Sequence, residues 1–241
     1  MTDNTLPLIW MDFETPGVLY AQHPLETAAI ITDANLNYSP QQEFHALCRL
    51  PQDFDKTRIP EVVRQMHTDN GLWNDLNNAP SAPPFGDNYY YQRGSLYDRA
   101  SSVDYALALW ITEFFGYELG YYLDYVKEPL VRLAGSGVSH FDSRILLGHF
   151  PLTWTLIAGF DAETKPTLDI GVVRRFLQTF DLDNIWTETI KGMGALPEAL
   201  TAHRALDDVE LFIEQARSLR GHLAEISEKA QYWDAYLRSQ P

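Results

Sequence analysis

Short apolar runs separated by polar turn sequences make up most of the first 50 residues. Residues 8–12 form an apolar run that ends in an acid, which predicts a buried strand with functional groups at its exit. Segments 26–32 and 43–50 predict two further strands, and residues 33–37 between them have turn chemistry. The pattern therefore predicts a three-stranded antiparallel meander.

Beyond this meander, helical periodicity alternates with short buried strands. Helices are predicted over residues 61–66, 103–119, 143–150, 173–177, 205–220 and 222–238, and strands over residues 130–134 and 167–170. The order βββαβαβα predicts an α/β fold with a central mixed five-stranded sheet flanked by helices. No internal repeat or second core is visible, so we expect a single domain over residues 1–241, closed by a C-terminal helix over 222–241.

Residues 74–101 differ from the rest of the chain because proline and glycine surround several tyrosines. A loop of this length inside a compact domain is uncommon and is typical of a lid or an insertion. Its aromatic and basic side chains could stack on a single nucleic-acid strand, or they could pack against the domain. Both interpretations remain open for Tyr89, Tyr90, Tyr91, Arg93, Tyr97 and Arg99.

Composition limits the classes of function. Apolar residues make up 45% of the 241, which suits a globular core, and the net charge is −15. A protein that grips long nucleic acid usually has a basic face, so we expect this chain to hold only a few nucleotides. No secretory signal or transmembrane run is visible, so no membrane partner is expected. The single cysteine, Cys48, cannot form an intramolecular disulfide, and a reducing cytoplasm is the expected location.

The first candidate motif is an acidic pair at the end of the first predicted strand. Asp12 and Glu14 are two residues apart, so period-2 geometry places both side chains on one face. Two-metal phosphodiester cleavage needs converging carboxylates, and Mg²⁺ prefers hard oxygen ligands. An Asp-x-Glu pair alone is weak evidence, because a solvated strand end has the same pattern.

A second candidate segment lies near the C-terminus, in His203-Arg-Ala-Leu-Asp-Asp208. If a helix begins near Ala205, a rotation of about 100° per residue places Asp208 beside the apolar stripe and turns Asp207 away from it. His203 precedes the helix, and an imidazole with an unperturbed pKa of about 6.5 suits proton abstraction near neutrality. The ordinary alternative is a histidine near a helix start. The stripe consists of Leu206, Val209, Phe212, Ile213 and Ala216.

The third candidate is Asp142. Small residues over 134–137 end a predicted strand and lead to this acid at the start of a helix. The ordinary alternative is a helix N-cap aspartate, which is common.

Taken together and in order, these segments resemble the DEDDh exonucleases. That family has a ribonuclease-H-like fold, an Asp-x-Glu motif, a central aspartate, and a histidine five residues before a final aspartate. The chain is most similar to oligoribonuclease, over residues 8–72 and 103–225, through 8–14, 30–36, 67–72 and 203–209. The resemblance implies a metal-dependent 3′→5′ exonuclease that releases 5′-mononucleotides from single-stranded DNA or RNA ends or from short oligonucleotides.

The resemblance also implies a role for each candidate residue. Asp12, Glu14 and Asp208 would hold the ion that activates water. Asp12 and Asp142 would contact a second ion, and His203 would deprotonate the nucleophilic water. The cofactors would then be two divalent cations, Mg²⁺ or Mn²⁺.

Substrate contacts are implied for Thr15 and His67, and a homodimer is possible by the same resemblance. Two departures leave the choice between RNA and DNA open. Thr15-Pro16-Gly17 is commoner in DNA-directed branches, and valines replace an aromatic residue expected before His67. A non-catalytic binding module on the same fold is the main alternative function. It predicts that at least one ligand or the base is missing, and none is. An acidic decoy for a basic partner protein is a third hypothesis, which rests on the net charge alone.

Overall fold

The computed structural model describes residues 6–20, 23–86, 89–125, 128–159, 167–193 and 203–239. Its centre is a mixed sheet in the order β4-β3-β2-β1-β5-β6. Strands β1, β2 and β3 pair antiparallel in chain order. Strand β4 pairs parallel with β3, β5 pairs parallel with β1, and β6 pairs parallel with β5. The strands are β1 (Leu8–Glu14), β2 (Glu26–Thr32), β3 (Glu43–Cys48), β4 (Ser95–Tyr97), β5 (Arg132–Gly135) and β6 (Leu168–Asp169).

Helices cover both faces of this sheet, as an α/β fold requires. Helices α3, α5 and α6 pack on one face, whereas α9 crosses β1, β2 and β5 on the other and is flanked by α7 and α8. The helices are α1 (Glu61–Asp69), α2 (Leu72–Asn78), α3 (Ala100–Phe114), α4 (Leu119–Tyr125), α5 (Asp142–His149), α6 (Pro151–Ala158), α7 (Ile170–Thr179), α8 (Asp183–Gly192) and α9 (Ala205–Ser239). The predicted α/β class and mixed sheet are confirmed.

Strand β1 is buried on both faces, and its alternation sets the position of the acidic pair. Ile9, Met11 and Phe13 enter the core under α3 and α6, whereas Trp10 enters the core under α9. Because side chains alternate along a strand, the residues two and four positions after Trp10 share its face. The strand therefore delivers two carboxyl groups to the α9 side of the sheet at its C-terminal end.

Within the described residues the sheet has six strands, where the sequence predicted five. The additional strand, β4, lies within residues 74–101 and pairs parallel with β3, with Leu47 opposite Leu96. A three-residue strand is too short to give a clear alternation, which is why the sequence pattern did not indicate it. Residues Ser95, Leu96 and Tyr97 are all buried. Part of the long segment thus belongs to the sheet.

Most tyrosines of this segment pack against the domain. The Tyr91 ring stacks on Phe44 with centroids 4.6 Å apart, and the backbone N–H of His45 donates to the Tyr91 hydroxyl at 2.6 Å. The hydroxyls of Tyr89 and Tyr97 are hydrogen-bonded at 2.8 Å. Of the two interpretations of this segment, packing describes these three tyrosines.

Helix α9 is a single helix of 35 residues, where the sequence indicated two. The predicted boundary falls at Gly221, and a glycine inside a helix costs only about 1 kcal/mol relative to alanine. The Ser218 hydroxyl donates to the Thr189 carbonyl at 2.6 Å and ties α9 to α8 just before that position. None of the described helices is both long and apolar enough to cross a membrane.

The contribution of β4 to stability can be measured with Leu96→Ala. Leu96 is buried in a small cluster with Leu25, Leu47 and Leu72, so its truncation should lower the free energy of unfolding by about 2–5 kcal/mol. Urea unfolding monitored by circular dichroism gives this value. Tyr90→Ala is the matched control within the segment, because Tyr90 is 65% exposed, and it should change stability by less than about 0.5 kcal/mol. Equal effects of the two substitutions would contradict a structural role for β4.

Candidate active site

Three carboxylates meet where β1 ends. Asp12 and Glu14 lie on the α9 face, and Glu14 is paired in register with Glu26 of β2. Directly opposite residues of an antiparallel pair have their side chains on the same face, so Glu26 joins this group. Glu14 is 8% exposed and Glu26 is 1% exposed. Such a concentration of buried acid is costly without compensating charge.

Asp142 reaches the same region from the start of α5. A Cβ atom added to Gly135 would lie 2.8 Å from the Met11 carbonyl oxygen, so the chain leaving β5 runs close to β1. The residue before the helix, Phe141, is the N-cap, and Asp142 is the first helical residue. The ordinary N-cap interpretation of Asp142 therefore does not describe its position. Its side chain is buried, and Oδ1 has no hydrogen-bond partner among the described residues.

The loop that leads to Asp142 is held by Asp169, a residue that was not among the predicted site residues. The Asp169 carboxylate accepts hydrogen bonds from the backbone N–H groups of Gly137 and Ser139, both at 3.0 Å. It also caps α7 by accepting from Val172 N–H at 3.0 Å. One carboxylate therefore organises a loop and a helix start at once. An acid at the end of a short strand and directly before a helix was the available signal.

The start of α9 brings in the remaining predicted residues. Glu14, His203 and Asp208 each offer one ligand atom, and these atoms lie within 4.8 Å of one another. His203 is exposed, whereas Asp207 and Asp208 are both partly exposed, so burial does not separate the two acids. The resemblance implied that Asp12 would join Glu14 and Asp208 around one ion, whereas this group of three contains His203 and not Asp12.

Burial and mutual repulsion make these acids weak. Burial and the neighbouring Glu26 charge raise the pKa of Glu14 to about 8. Desolvation, followed by the charges of Asp142 and Glu14, raises the pKa of Asp12 well above its ordinary value. Burial raises the pKa of Asp142 to about 7 and that of Asp208 to about 6. Carboxylates crowded in this way bind either protons or cations near neutral pH.

Glu26 behaves differently because basic groups surround it. Burial raises its pKa, but hydrogen bonds from His45 and Arg204 outweigh burial and lower the pKa to about 2. Arg204 Nη2 lies 2.8 Å from Glu26 Oε1, and the backbone N–H of Ala205 donates to Oε2 at 3.0 Å. Neither Glu26 nor Arg204 was predicted from the sequence as a site residue. The available signal was an arginine beside the candidate base and a glutamate at the start of a buried strand.

His67 lies behind the site. It is fully buried, its Nε2–H donates to the Thr15 carbonyl at 3.0 Å, and its ring meets Trp73 edge to face. Thr15 is 7% exposed, and its hydroxyl accepts from Gly17 N–H at 3.3 Å. The structure thus has His67 supporting the backbone of residue 15. The substrate contacts implied for both residues remain predictions.

An open groove of about 680 Å³ includes His203 in its lining, and a ring nitrogen of His203 lies within 4.8 Å of carboxylate oxygens of Glu14 and Asp208. One wall is α1, and His203 lies at its edge. Val62 and Val63 occupy the stretch where an aromatic residue was expected, and Val62 is 75% exposed. The lining residues are Glu61, Val62, Gln65, Met66, Asp69, Asn70 and His203.

The donor set fits divalent cations. The oxygen atoms come from several carboxylates on three different elements, and hard cations such as Mg²⁺ prefer oxygen ligands. The unpartnered Oδ1 of buried Asp142 is a further acceptor that lacks compensation in the described part of the chain. The raised pKa of Glu14, about 8, means that added positive charge would relieve real repulsion. Cations at this cluster are therefore physically reasonable.

Sequence comparison finds similarity over a short segment. The chain is 40% identical to oligoribonuclease of Streptomyces griseus and 37% identical to oligoribonuclease of Streptomyces avermitilis, in each case over 70 residues. This segment is 29% of the chain, and the chain spans 34% of the length of these relatives. No family model matches the chain.

Comparison of folds extends over nearly the whole chain. A complex of Escherichia coli exonuclease I with single-stranded DNA and zinc matches 93% of this chain and 42% of its own, with a TM-score of 0.56 and 15% identity. Exonuclease I of Methylocaldum szegediense matches 90% and 40%, with a TM-score of 0.50 and 19% identity. The predicted fold is confirmed by this likeness, and the resemblance to oligoribonuclease by the matched segment.

The raised pKa values predict a stability that depends on pH in the presence of a chelator. Glu14 keeps its proton up to a pKa of about 8 when folded and to about 4.5 in its ordinary state. The folded state therefore binds more protons across this window, so the free energy of unfolding should fall as pH rises from about 4.5 to 8. Thermal unfolding in EDTA should show a falling Tm, and Glu14→Gln should flatten the slope.

Divalent cations should reverse this loss. Addition of Mg²⁺ or Mn²⁺ at pH 8 should raise the Tm of the wild-type protein, because ligands that bind the folded state stabilise it. The control is a buffer without divalent cations, adjusted with NaCl to the same ionic strength. A Tm that changes neither with pH nor on addition of divalent cations would contradict a cation site at this cluster.

Proposed function

We propose that this chain is a metal-dependent 3′→5′ exonuclease that acts on single-stranded nucleic acid or short oligonucleotides and releases 5′-mononucleotides. The observation that carries the proposal is the meeting of Asp12, Glu14, Asp142 and Asp208 at the exit of β1, with His203 beside them. The likeness to oligoribonuclease and the fold shared with exonuclease I support the same reaction class.

The solved structures with this fold include complexes of Escherichia coli exonuclease I with single-stranded DNA and with a dA16 oligonucleotide. These ligands belong to those proteins, and we extend them to this chain as part of the proposal. The net charge of −15 favours a substrate that is held near the cations over a few nucleotides. The groove beside α1 is a suitable place for the nucleotides next to the scissile bond.

We assign the chemistry as follows. Asp12, Glu14 and Asp208 would hold one divalent cation, Mg²⁺ or Mn²⁺, and Asp12 with Asp142 would hold a second. Two such cations would supply activation of water and neutralisation of the leaving oxygen. An imidazole nitrogen of His203 takes the proton from the attacking water, for which its exposed position at the groove edge leaves room. Thr15 contacts the substrate, and His67 holds Thr15.

Removal of one carboxylate should abolish hydrolysis and spare the fold. Asp12→Asn and Asp208→Asn should each leave less than about a tenth of the wild-type rate in Mg²⁺. Loss of one negative charge relieves repulsion, so the Tm in EDTA should stay level or rise. Rates are measured on a 3′-labelled single strand by release of mononucleotide. Asp207→Asn is the matched control next to Asp208 and should remain active. A variant at position 12 or 208 with nearly full rate would refute the ligand assignment.

The role of His203 is separable from cation binding. His203→Ala should lower the rate by about 10²–10⁴-fold, the usual size of a general-base contribution. Isothermal titration with Mn²⁺ should give unchanged stoichiometry, because a base is not a ligand. Loss of Mn²⁺ affinity would instead make His203 a ligand, a role that its 4.8 Å grouping with Glu14 and Asp208 permits. An unchanged rate would remove it from the chemistry altogether.

Sugar preference and length can be determined by one matched digestion. Labelled five-nucleotide RNA, five-nucleotide DNA and a long single strand are incubated at fixed salt with Mg²⁺, Mn²⁺ or EDTA. We expect hydrolysis of the short substrates with either cation and none with EDTA. Binding without cleavage under every condition would favour the non-catalytic alternative.

A further inference from the structure

His203 has an unusual backbone conformation. Its φ of +61° lies in the left-handed region, which costs free energy for a residue with a side chain. Such conformations persist only where neighbouring contacts hold them, and they are concentrated at functional sites. The contacts on either side of His203 are therefore the ones that must hold this backbone conformation.

The residues that follow His203 are held by Glu26. The Arg204 guanidinium binds the Glu26 carboxylate with Nη2–Oε1 at 2.8 Å and Nε–Oε1 at 3.1 Å. The first N–H of α9, that of Ala205, donates to the second Glu26 oxygen at 3.0 Å. Glu26 is 1% exposed and fixed in β2, so it anchors the start of α9 to the central sheet.

The carbonyl of His203 is held from the other direction. Asn70 Nδ2 donates to this carbonyl oxygen, and Arg204 Nη1 approaches the Asn70 carbonyl oxygen at 3.4 Å. Asn70 is itself fixed because its Oδ1 accepts from Leu72 N–H at 3.0 Å. The backbone on both sides of His203 is thus held by hydrogen bonds, from the α1–α2 turn and from β2.

The acceptor capacity of Glu26 is already used. Oε1 accepts from Arg204 and from His45 Nε2 at 2.6 Å, and Oε2 accepts from Ala205 and from Arg204 Nε at 3.2 Å. Both oxygens face cationic or N–H donors, which would repel a further cation. The neighbour of Glu14 in the sheet is therefore a poor cation ligand, although it is the fifth acid of the cluster.

We propose that Glu26 and Arg204 are positioning residues that hold His203 in its left-handed conformation and so align its imidazole for the proposed reaction. The expected effect on the reaction rate rests on the proposed function. The expected effect on the conformation of His203 rests only on the contacts described above. The alternatives are that Glu26 is an additional cation ligand, or that the pair serves stability alone.

A double-mutant cycle separates these roles. Glu26→Gln keeps the size of the side chain but removes its charge, and should lower kcat by about 10–100-fold, the usual cost of losing an outer hydrogen-bond partner. KM and Mn²⁺ stoichiometry should be unchanged. In the His203→Ala background the same substitution should change kcat by less than about twofold, because effects transmitted through one residue are not additive.

Matched variants test the specificity of the effect. Arg204→Lys keeps the charge but lacks the bidentate fork, so it should also lower kcat. Glu43→Gln is the control, because Glu43 is a buried carboxylate on the neighbouring strand that pairs with Arg93 away from the cluster. It should leave kcat unchanged. Equal losses from Glu26→Gln with and without His203 would overturn the proposal, as would a reduced Mn²⁺ stoichiometry.

A measurement without substrate tests, independently of the reaction, whether Glu26 and Arg204 hold the start of α9; this pair of contacts is called the clamp. Amide hydrogen exchange at Ala205 should be faster in Glu26→Gln and in Arg204→Lys than in the wild type and in Glu43→Gln. Unchanged protection at Ala205 would overturn the proposal, whatever the kinetics. If the wild-type protein hydrolyses no substrate, the proposed function fails, and this exchange experiment still decides whether the clamp exists. If Glu26→Gln does not fold, Arg204→Lys supplies both readouts.

Discussion

Repulsion among carboxyl groups at the exit of β1 is the constraint around which the rest of the molecule is arranged. Glu14 and Asp142 are buried, and burial removes the water that would otherwise screen their charges. The structure tolerates the cluster because the acids are weak: the pKa of Glu14 is raised to about 8. Stability and chemistry therefore oppose each other here, since the same repulsion that destabilises the chain creates affinity for cations.

The paired glutamates of β1 and β2 show how environment assigns different roles to one side chain. Glu14 and Glu26 are opposite in register and both buried, yet their pKa values are shifted in opposite directions, to about 8 and to about 2. The difference arises because Arg204 and His45 donate hydrogen bonds to Glu26, whereas Glu14 feels the Arg204 charge without a hydrogen bond from it. Pairs of acids whose pKa values are shifted apart by their surroundings are typical of sites where one acid binds a ligand and the other positions a neighbouring group.

Sequence periodicity was sufficient for the central part of the fold. The alternation in β1 was enough to predict that Asp12 and Glu14 share one face of the sheet, and the structure groups Glu14 with His203 and Asp208, whereas the roles of these residues remain predictions. Periodicity could not indicate β4, which is too short for a pattern, or the unbroken α9. The Glu26–Arg204 pair joins residues 178 positions apart, and a left-handed φ at His203 has no signature in residue type. These features depend on tertiary contact and not on local pattern.

The shortness of the outermost strands has a consequence for association. The sheet ends in β4 with three residues on one side and in β6 with two on the other. Long, flat edges expose rows of unpaired backbone groups and invite strand addition or aggregation, whereas edges this short offer little to pair with. Among the described residues, both outer strands are therefore poor templates for addition of a further strand.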